Sequence, residues 1–110
     1  MKSNIIKQPL HYNSNGEETM VKMVREFGIE ATINFFELSA FKYGDRAKFK
    51  HNETQDLQKR KECKRIAYKL CDIKEDVAQR VNQFGPTYNE ECVKAVKFWR
   101  ENLWEICYYL

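Results

Sequence analysis

The chain has 110 residues, of which 43% are hydrophobic, 14% aromatic and 32% charged, and its formal net charge is +3. This length accommodates one domain with one core, and this composition excludes an intrinsically disordered chain. No stretch approaches the roughly 18 uninterrupted apolar residues of a membrane span, and the first residues lack the apolar run of a signal peptide. We therefore expect a soluble cytoplasmic protein without a membrane partner.

The first half of the chain predicts an extended arm followed by two helices. The arm covers residues 1–16, where Pro9 disfavours helix in the residue before it. Residues 17–27 then repeat apolar side chains at helical spacing, and Gly28 ends this first helix. A second helix over about residues 30–43 is apolar almost all round, which predicts the central and most buried helix.

The second half predicts two or three further helices. Residues 54–71 form a basic helix, a shorter helix with Phe84 on its inner face follows, and Gly85-Pro86 stops it. A last helix runs from about residue 88 to the end of the sequence. Because period-two alternation is absent throughout, the fold class is all-α. We expect a single domain over residues 1–110, a compact bundle of four to five helices with an extended N-terminal segment.

The four cysteines predict buried, reduced thiols rather than a metal site. They lie at Cys63, Cys71, Cys92 and Cys107, among apolar residues at helical spacing, and no two form a CxxC pair. A zinc site needs clustered ligands, and the two histidines are far from any paired cysteines. A reducing cytosol follows as the expected compartment.

The middle third of the chain is strongly basic. Residues 42–74 carry eleven Lys and Arg against five acids, whereas the flanking segments are slightly acidic. Within residues 41–51 aromatic and cationic side chains alternate, a pattern that suits an anion with a flat ring. Four scattered glycines exclude a glycine-rich phosphate loop, so side chains and helix ends must hold any phosphate. A protein contact and a solvated basic hairpin remain alternative interpretations.

A succession of motifs spans about residues 9–71. The motifs, in order, are His11-Tyr12, Phe35-Phe36, Lys42-Tyr43 with Arg46, a lysine-rich loop, and Asp56-Leu57 before a basic helix. Their order and spacing resemble the SaV-like family of small tailed-phage proteins. We therefore expect a family-like helical core over 17–72 that contains the basic hairpin, and a C-terminal helical extension over 73–110 that lies outside the resemblance. The resemblance also implies one of two activities. One coliphage member phosphorylates deoxynucleoside monophosphates without a P-loop, and another member triggers a host abortive-infection system through a protein partner.

Together these observations predict a phage accessory protein, active in the cytoplasm of an infected bacterium, that binds a nucleotide-type anion. The candidate ligand-binding residues are His11, Tyr12, Lys42, Tyr43, Arg46, Lys48, Phe49 and Arg60. We expect the cations to hold phosphate and an aromatic ring to stack on the base. Binding without turnover is slightly favoured. A nucleoside monophosphate kinase is the enzymatic alternative, with Mg²⁺ as its only cofactor, and no catalytic residue or protein-bound metal site is assigned.

Two further classes of function remain open, and both concern macromolecular partners. One is a non-enzymatic anti-defence protein, related to anti-CRISPR or abortive-infection systems, that binds a host protein. The other is a nucleic-acid-binding protein, whose affinity would fall steeply with salt. The aromatic C-terminal region also exceeds what one small core absorbs, which predicts a homo-oligomer interface. Its candidate residues are Phe98, Trp104, Tyr108 and Tyr109.

Overall fold

The computed structural model of the chain describes residues 17–49 and 53–102, which form four helices and, within those ranges, no β-strand. The helices are α1 (Thr19–Phe27), α2 (Ile29–Ala47), α3 (Glu53–Arg80) and α4 (Tyr88–Glu101). This architecture confirms the predicted all-α bundle. The predicted extended arm over residues 1–16 lies outside the described residues. Of the described helices, none combines the length and apolarity needed to cross a membrane.

Gly28 alone connects α1 to α2. Its φ of 94° lies in the left-handed region that favours glycine. Its N–H donates a hydrogen bond of 2.9 Å to the Val24 carbonyl, which ends α1 as predicted. Its own carbonyl accepts a hydrogen bond of 2.9 Å from the Thr32 hydroxyl in the first turn of α2. One residue therefore turns the chain between two helices that both contribute to the core.

The core lies where all four helices meet, with α2 and α3 as its main walls. Each helix contributes side chains that are fully or almost fully buried, at spacings of three and four residues. The most buried of them are Met20 and Val24 from α1, Phe36 from α2, Cys63, Ile66, Leu70 and Val77 from α3, and Cys92 and Val96 from α4. Three free cysteines are among the described residues, with Cys63 and Cys92 buried and Cys71 half-buried. Cys107 lies outside them.

Helix α2 is less buried than its apolar sequence predicts. Phe36 and Ala40 are buried, but Leu38 is 70% exposed and Phe41 73% exposed. The other three helices pack on one side of α2, so its opposite face remains open. The expectation of a helix buried all round therefore holds for only one face of α2.

Helix α3 is continuous over 28 residues, where the sequence analysis predicted two helices with a break near residue 72. No glycine or proline interrupts this segment, and Ile73 and Val77 continue the buried stripe of Ile66 and Leu70. The helix ends at Arg80. Phe84, which we expected on an inner helix face, falls in the following loop and is 88% exposed.

A buried ion pair joins the two ends of the described chain. The Arg100 guanidinium in the last turn of α4 donates to both carboxylate oxygens of Glu18, from Nε at 2.7 Å and from Nη2 at 2.9 Å. The two side chains are 1% and 6% exposed. This bidentate geometry holds the start of α1 against the end of α4.

Candidate functional site

A groove of about 580 Å³ runs between α2 and α3. Its volume falls in the range typical of sites for small ligands. The residues that line it are Glu37, Ala40, Phe41, Gly44 and Lys48 from the α2 side, and Arg60, Lys64, Ala67, Tyr68 and Cys71 from α3. Three of these side chains are cations and one is a carboxylate, so the lining has an excess of positive charge.

Small residues open this groove. Ala40 and Gly44 lie one turn apart on α2, and Ala67 lies on the adjoining face of α3. Because none of these side chains extends beyond a methyl group, the two helices leave space along this side of their contact. Larger side chains at the same positions would fill it.

Gly44 also makes room for the Arg60 side chain. A Cβ atom added at Gly44 would lie 3.0 Å from Cδ and 3.2 Å from Nε of Arg60. Arg60 therefore packs directly against the α2 backbone, with its guanidinium among the groove residues. The guanidinium presents several N–H donors in a planar fork, an arrangement that matches the oxygens of phosphate.

Two aromatic rings flank the groove, one from each helix. Phe41 on α2 is 73% exposed and Tyr68 on α3 is 74% exposed. Large aromatic side chains usually bury most of their surface in a core. These two instead offer ring surface at the edge of a cationic groove, where a flat apolar group would find stacking partners.

The positive and negative side chains of the groove lie towards opposite ends. Gly44 packs against Arg60, and Glu37 is close enough to Cys71 for its charge to raise the pKa of that thiol. Glu37 precedes Gly44 in α2 whereas Cys71 follows Arg60 in α3, so the two helices run antiparallel. The cations Lys48, Arg60 and Lys64 consequently gather towards the end of α2, with Glu37 towards the other end. Burial raises the pKa of the Cys71 thiol, and the negative charge of Glu37 raises it further. Cys71 is therefore a neutral thiol near pH 7.

A second cationic cluster surrounds Tyr43. The Lys42 ammonium lies 4.7 Å from the centre of its ring, the Lys59 ammonium 5.4 Å, and the Arg46 guanidinium 5.5 Å. These are cation–π distances. None of the four residues lines the groove. Because successive residues point about 100° apart around a helix, buried residues of α2 lie between Tyr43 and the groove face.

The structure divides the predicted ligand-binding residues between these two places. Lys48 and Arg60 line the groove, whereas Lys42, Tyr43 and Arg46 form the Tyr43 cluster. Phe49 follows α2 and is 80% exposed, outside the groove lining. His11 and Tyr12 lie outside the described residues. All of these assignments stay predictions.

Eight of the ten residues that line the groove are not among the ligand contacts predicted from the sequence. They are Glu37, Ala40, Phe41, Gly44, Lys64, Ala67, Tyr68 and Cys71. A signal for them existed: residues 37, 41, 44 and 48 share one face of a helix by their spacing, as do residues 60, 64, 67 and 71. The order of the basic residues along the chain does not reveal this shared face, whereas their helical spacing does.

The candidate oligomer interface is only partly described. Phe98 is 68% exposed and lies beside a second groove, of about 440 Å³, between α3 and α4. Trp104, Tyr108 and Tyr109 are not among the described residues. Within residues 17–49 and 53–102, no group of three or more His, Cys, Asp or Glu side chains gathers as a metal site would require.

Comparisons with known proteins leave the chain without an identified relative. No protein-family model, no curated protein and no solved structure matches it. The resemblance to the SaV-like family stays a prediction that rests on the motif residues, and any function must be argued from the groove itself.

Proposed function

We propose that this protein binds a nucleotide-type anion in the α2–α3 groove, as a phage accessory protein of the kind its motifs resemble, and that it holds the ligand without transforming it. The observation that carries the proposal is the combination of Lys48, Arg60 and Lys64 with two exposed rings in one groove of about 580 Å³. Neither the three cations nor the two rings alone would distinguish a nucleotide from other anions.

The cations account for the phosphate part of the ligand. Three positive charges within one groove repel one another, and a phosphate group between them relieves that repulsion while it accepts their hydrogen bonds. Arg60, held against Gly44, supplies a two-pronged contact, and the lysines supply mobile point charges.

The rings account for the base. Phe41 and Tyr68 belong to different helices and are both largely exposed, so a flat heterocycle can stack on either of them without first opening the core. Stacking of a base on an aromatic side chain contributes about 1–3 kcal/mol. A simple inorganic anion would gain nothing from these rings, and the groove therefore favours a ligand with both parts.

The groove is lined by cations, aromatic rings and one carboxylate, which are groups that hold a ligand. We therefore propose binding and not turnover. The kinase alternative, with Mg²⁺ as its metal, stays a prediction, as do the nucleic-acid and host-protein alternatives. A kinase would have to convert a nucleoside monophosphate and ATP into two diphosphates, which a coupled assay measures directly.

The test compares two lysines of the same helix by isothermal titration with nucleoside diphosphates. Lys64 lines the groove, whereas Lys59 belongs to the Tyr43 cluster. We expect Lys64→Ala to weaken binding about tenfold, the value of one charge-assisted contact, and Lys59→Ala to leave it within twofold. The opposite result would move the site to the Tyr43 cluster, and no heat with any nucleotide would overturn the proposal.

A second candidate function is self-association through the face that carries Phe98, which is favoured by the 68% exposure of this phenylalanine beside the groove between α3 and α4. We propose a second copy of the chain as the partner. Light scattering coupled to size exclusion tests it: Phe98→Ser should lower the apparent mass at micromolar concentration, with Phe84→Ser as the control. A monomeric wild-type protein would contradict this candidate.

A further inference from the structure

The end of the groove opposite the cations carries a single carboxylate. Glu37 lies seven residues before Gly44 on α2, which corresponds to about 10 Å along the helix axis. Phe41 lies between these two residues on the same face, and Tyr68 lies between Arg60 and Cys71 on α3. The order along the groove is therefore carboxylate, rings, cations.

The Glu37 carboxylate is available to a ligand. Among the ion pairs of the described residues, none includes Glu37. Glu37 lines the groove together with Cys71, and its negative charge raises the pKa of that thiol. An ionised carboxylate accepts hydrogen bonds and donates none.

From this order we infer that the groove selects a guanine nucleotide, with the phosphates at Lys48, Arg60 and Lys64 and the base edge at Glu37. The inference rests on the proposed nucleotide-binding function and deepens it. An anionic ligand cannot place a phosphate beside Glu37 without like-charge repulsion, so the carboxylate fixes the direction in which the ligand lies.

The preference for guanine follows from the pattern of donors on each base. Guanine presents the N1–H and an N2 amino hydrogen side by side, and the two oxygens of one carboxylate accept both in parallel. Adenine places the N1 acceptor beside its amino group, and cytosine places N3 there, so one carboxylate oxygen would face a lone pair. Uracil offers a single N–H between two carbonyl oxygens. Guanine alone among these satisfies both oxygens of Glu37.

The test is a titration of the full chain with GDP, ADP and IDP at pH 7 and fixed salt. Inosine diphosphate retains the N1–H of guanine and lacks its amino group, so it isolates the second hydrogen bond. We expect IDP to bind about tenfold more weakly than GDP, because a hydrogen bond to a charged group contributes about that factor when it is partly shielded from water. ADP should bind at least as weakly as IDP, since the lone pair at N1 of adenine faces a carboxylate oxygen.

A substitution at Glu37 connects the preference to this residue. Glu37→Gln should weaken GDP binding about tenfold and leave ADP equal or tighter, since the amide donates to N1 of adenine and accepts from its amino group. Glu26→Gln, the same change at an exposed position on α1, should alter neither affinity. Retained ADP binding also shows that the variant is folded.

The outcomes separate the inference from the proposed function. Equal affinities for GDP and ADP, or a GDP preference that survives Glu37→Gln, would overturn the guanine assignment and leave nucleotide binding intact. Absence of binding to all three diphosphates would overturn the proposed function and the inference with it.

Discussion

The buried pair between Glu18 and Arg100 offers the sharpest test of the fold. Both side chains are almost fully shielded from water and joined by two hydrogen bonds of 2.7 and 2.9 Å. Glu18→Gln keeps the size of the side chain but removes its negative charge. The Arg100 guanidinium then loses the buried carboxylate that accepts from two of its nitrogens, which costs about 3 kcal/mol in the free energy of unfolding.

Urea denaturation followed by circular dichroism at 222 nm measures this loss. With a slope of about 1.5 kcal/mol per molar urea for a domain of this size, the midpoint should fall by about 2 M. The matched control is Asp76→Asn, the same chemical change in the pair with Arg80, whose side chains are 67% and 47% exposed. Exposed pairs contribute about 0.5 kcal/mol, so this midpoint should move by less than about 0.5 M.

A double variant separates the charge from the packing. Glu18→Leu with Arg100→Met removes both charges and keeps apolar volume, so it should be clearly more stable than Glu18→Gln. If the midpoint of Glu18→Gln matched that of Asp76→Asn, the pair would be open to water in solution and the reasoning from its burial would be refuted. A double variant as unstable as Glu18→Gln would assign the loss to packing instead.

Three further predictions concern the groove and the thiol and phenol groups. Gly44→Ala should weaken nucleotide binding several-fold, because the new Cβ would lie 3.0 Å from Cδ of Arg60. The melting temperature should stay equal or rise, because alanine favours helix by about 1 kcal/mol over glycine. A large fall in melting temperature would contradict this prediction. Burial, and to a smaller extent the charge of Glu37, raise the pKa of Cys71. Alkylation of this thiol by iodoacetamide should therefore be slow at pH 7 and accelerate up to and beyond pH 9. Bound nucleotide should slow the reaction further, and peptide mass spectrometry measures both effects. Burial raises the pKa of Tyr88 to about 12. The protonated phenol therefore contributes stability below its ordinary pKa near 10, and this contribution is lost as the pH rises from 10 to 12. Urea denaturation midpoints of the wild type should fall over this pH range, and Tyr88→Phe should make the fall smaller.

Local features of the sequence predicted the helices well and their burial less well. The end of α1 followed from Gly28, since a positive φ is a property of one residue and its neighbours. The continuity of α3 was missed, although no helix-breaking residue stands near position 72. The exposure of Phe84 was also missed, because an apolar side chain past a helix end has no periodic partner to indicate which way it faces.

The order of residues along the chain predicted only part of the candidate site. The basic, aromatic stretch was visible in the sequence, and Lys48 and Arg60 were named from it. Which cations share a surface depends on how α2 and α3 are rotated against each other. Lys59 and Arg60 are neighbours in the chain, yet one contacts the Tyr43 ring and the other the groove, because each step along a helix turns the side chain by about 100°.

The all-α class, the turn at Gly28 and the basic character of the central segment can be predicted without a structure, because these depend on residues within a few positions of each other. The groove forms only when the helices pack, since its Glu37 and Lys64 belong to different helices. The same packing pairs Glu18 with Arg100, which are 82 residues apart. Contacts of this kind arise from the packing of whole helices, and no local pattern specifies them.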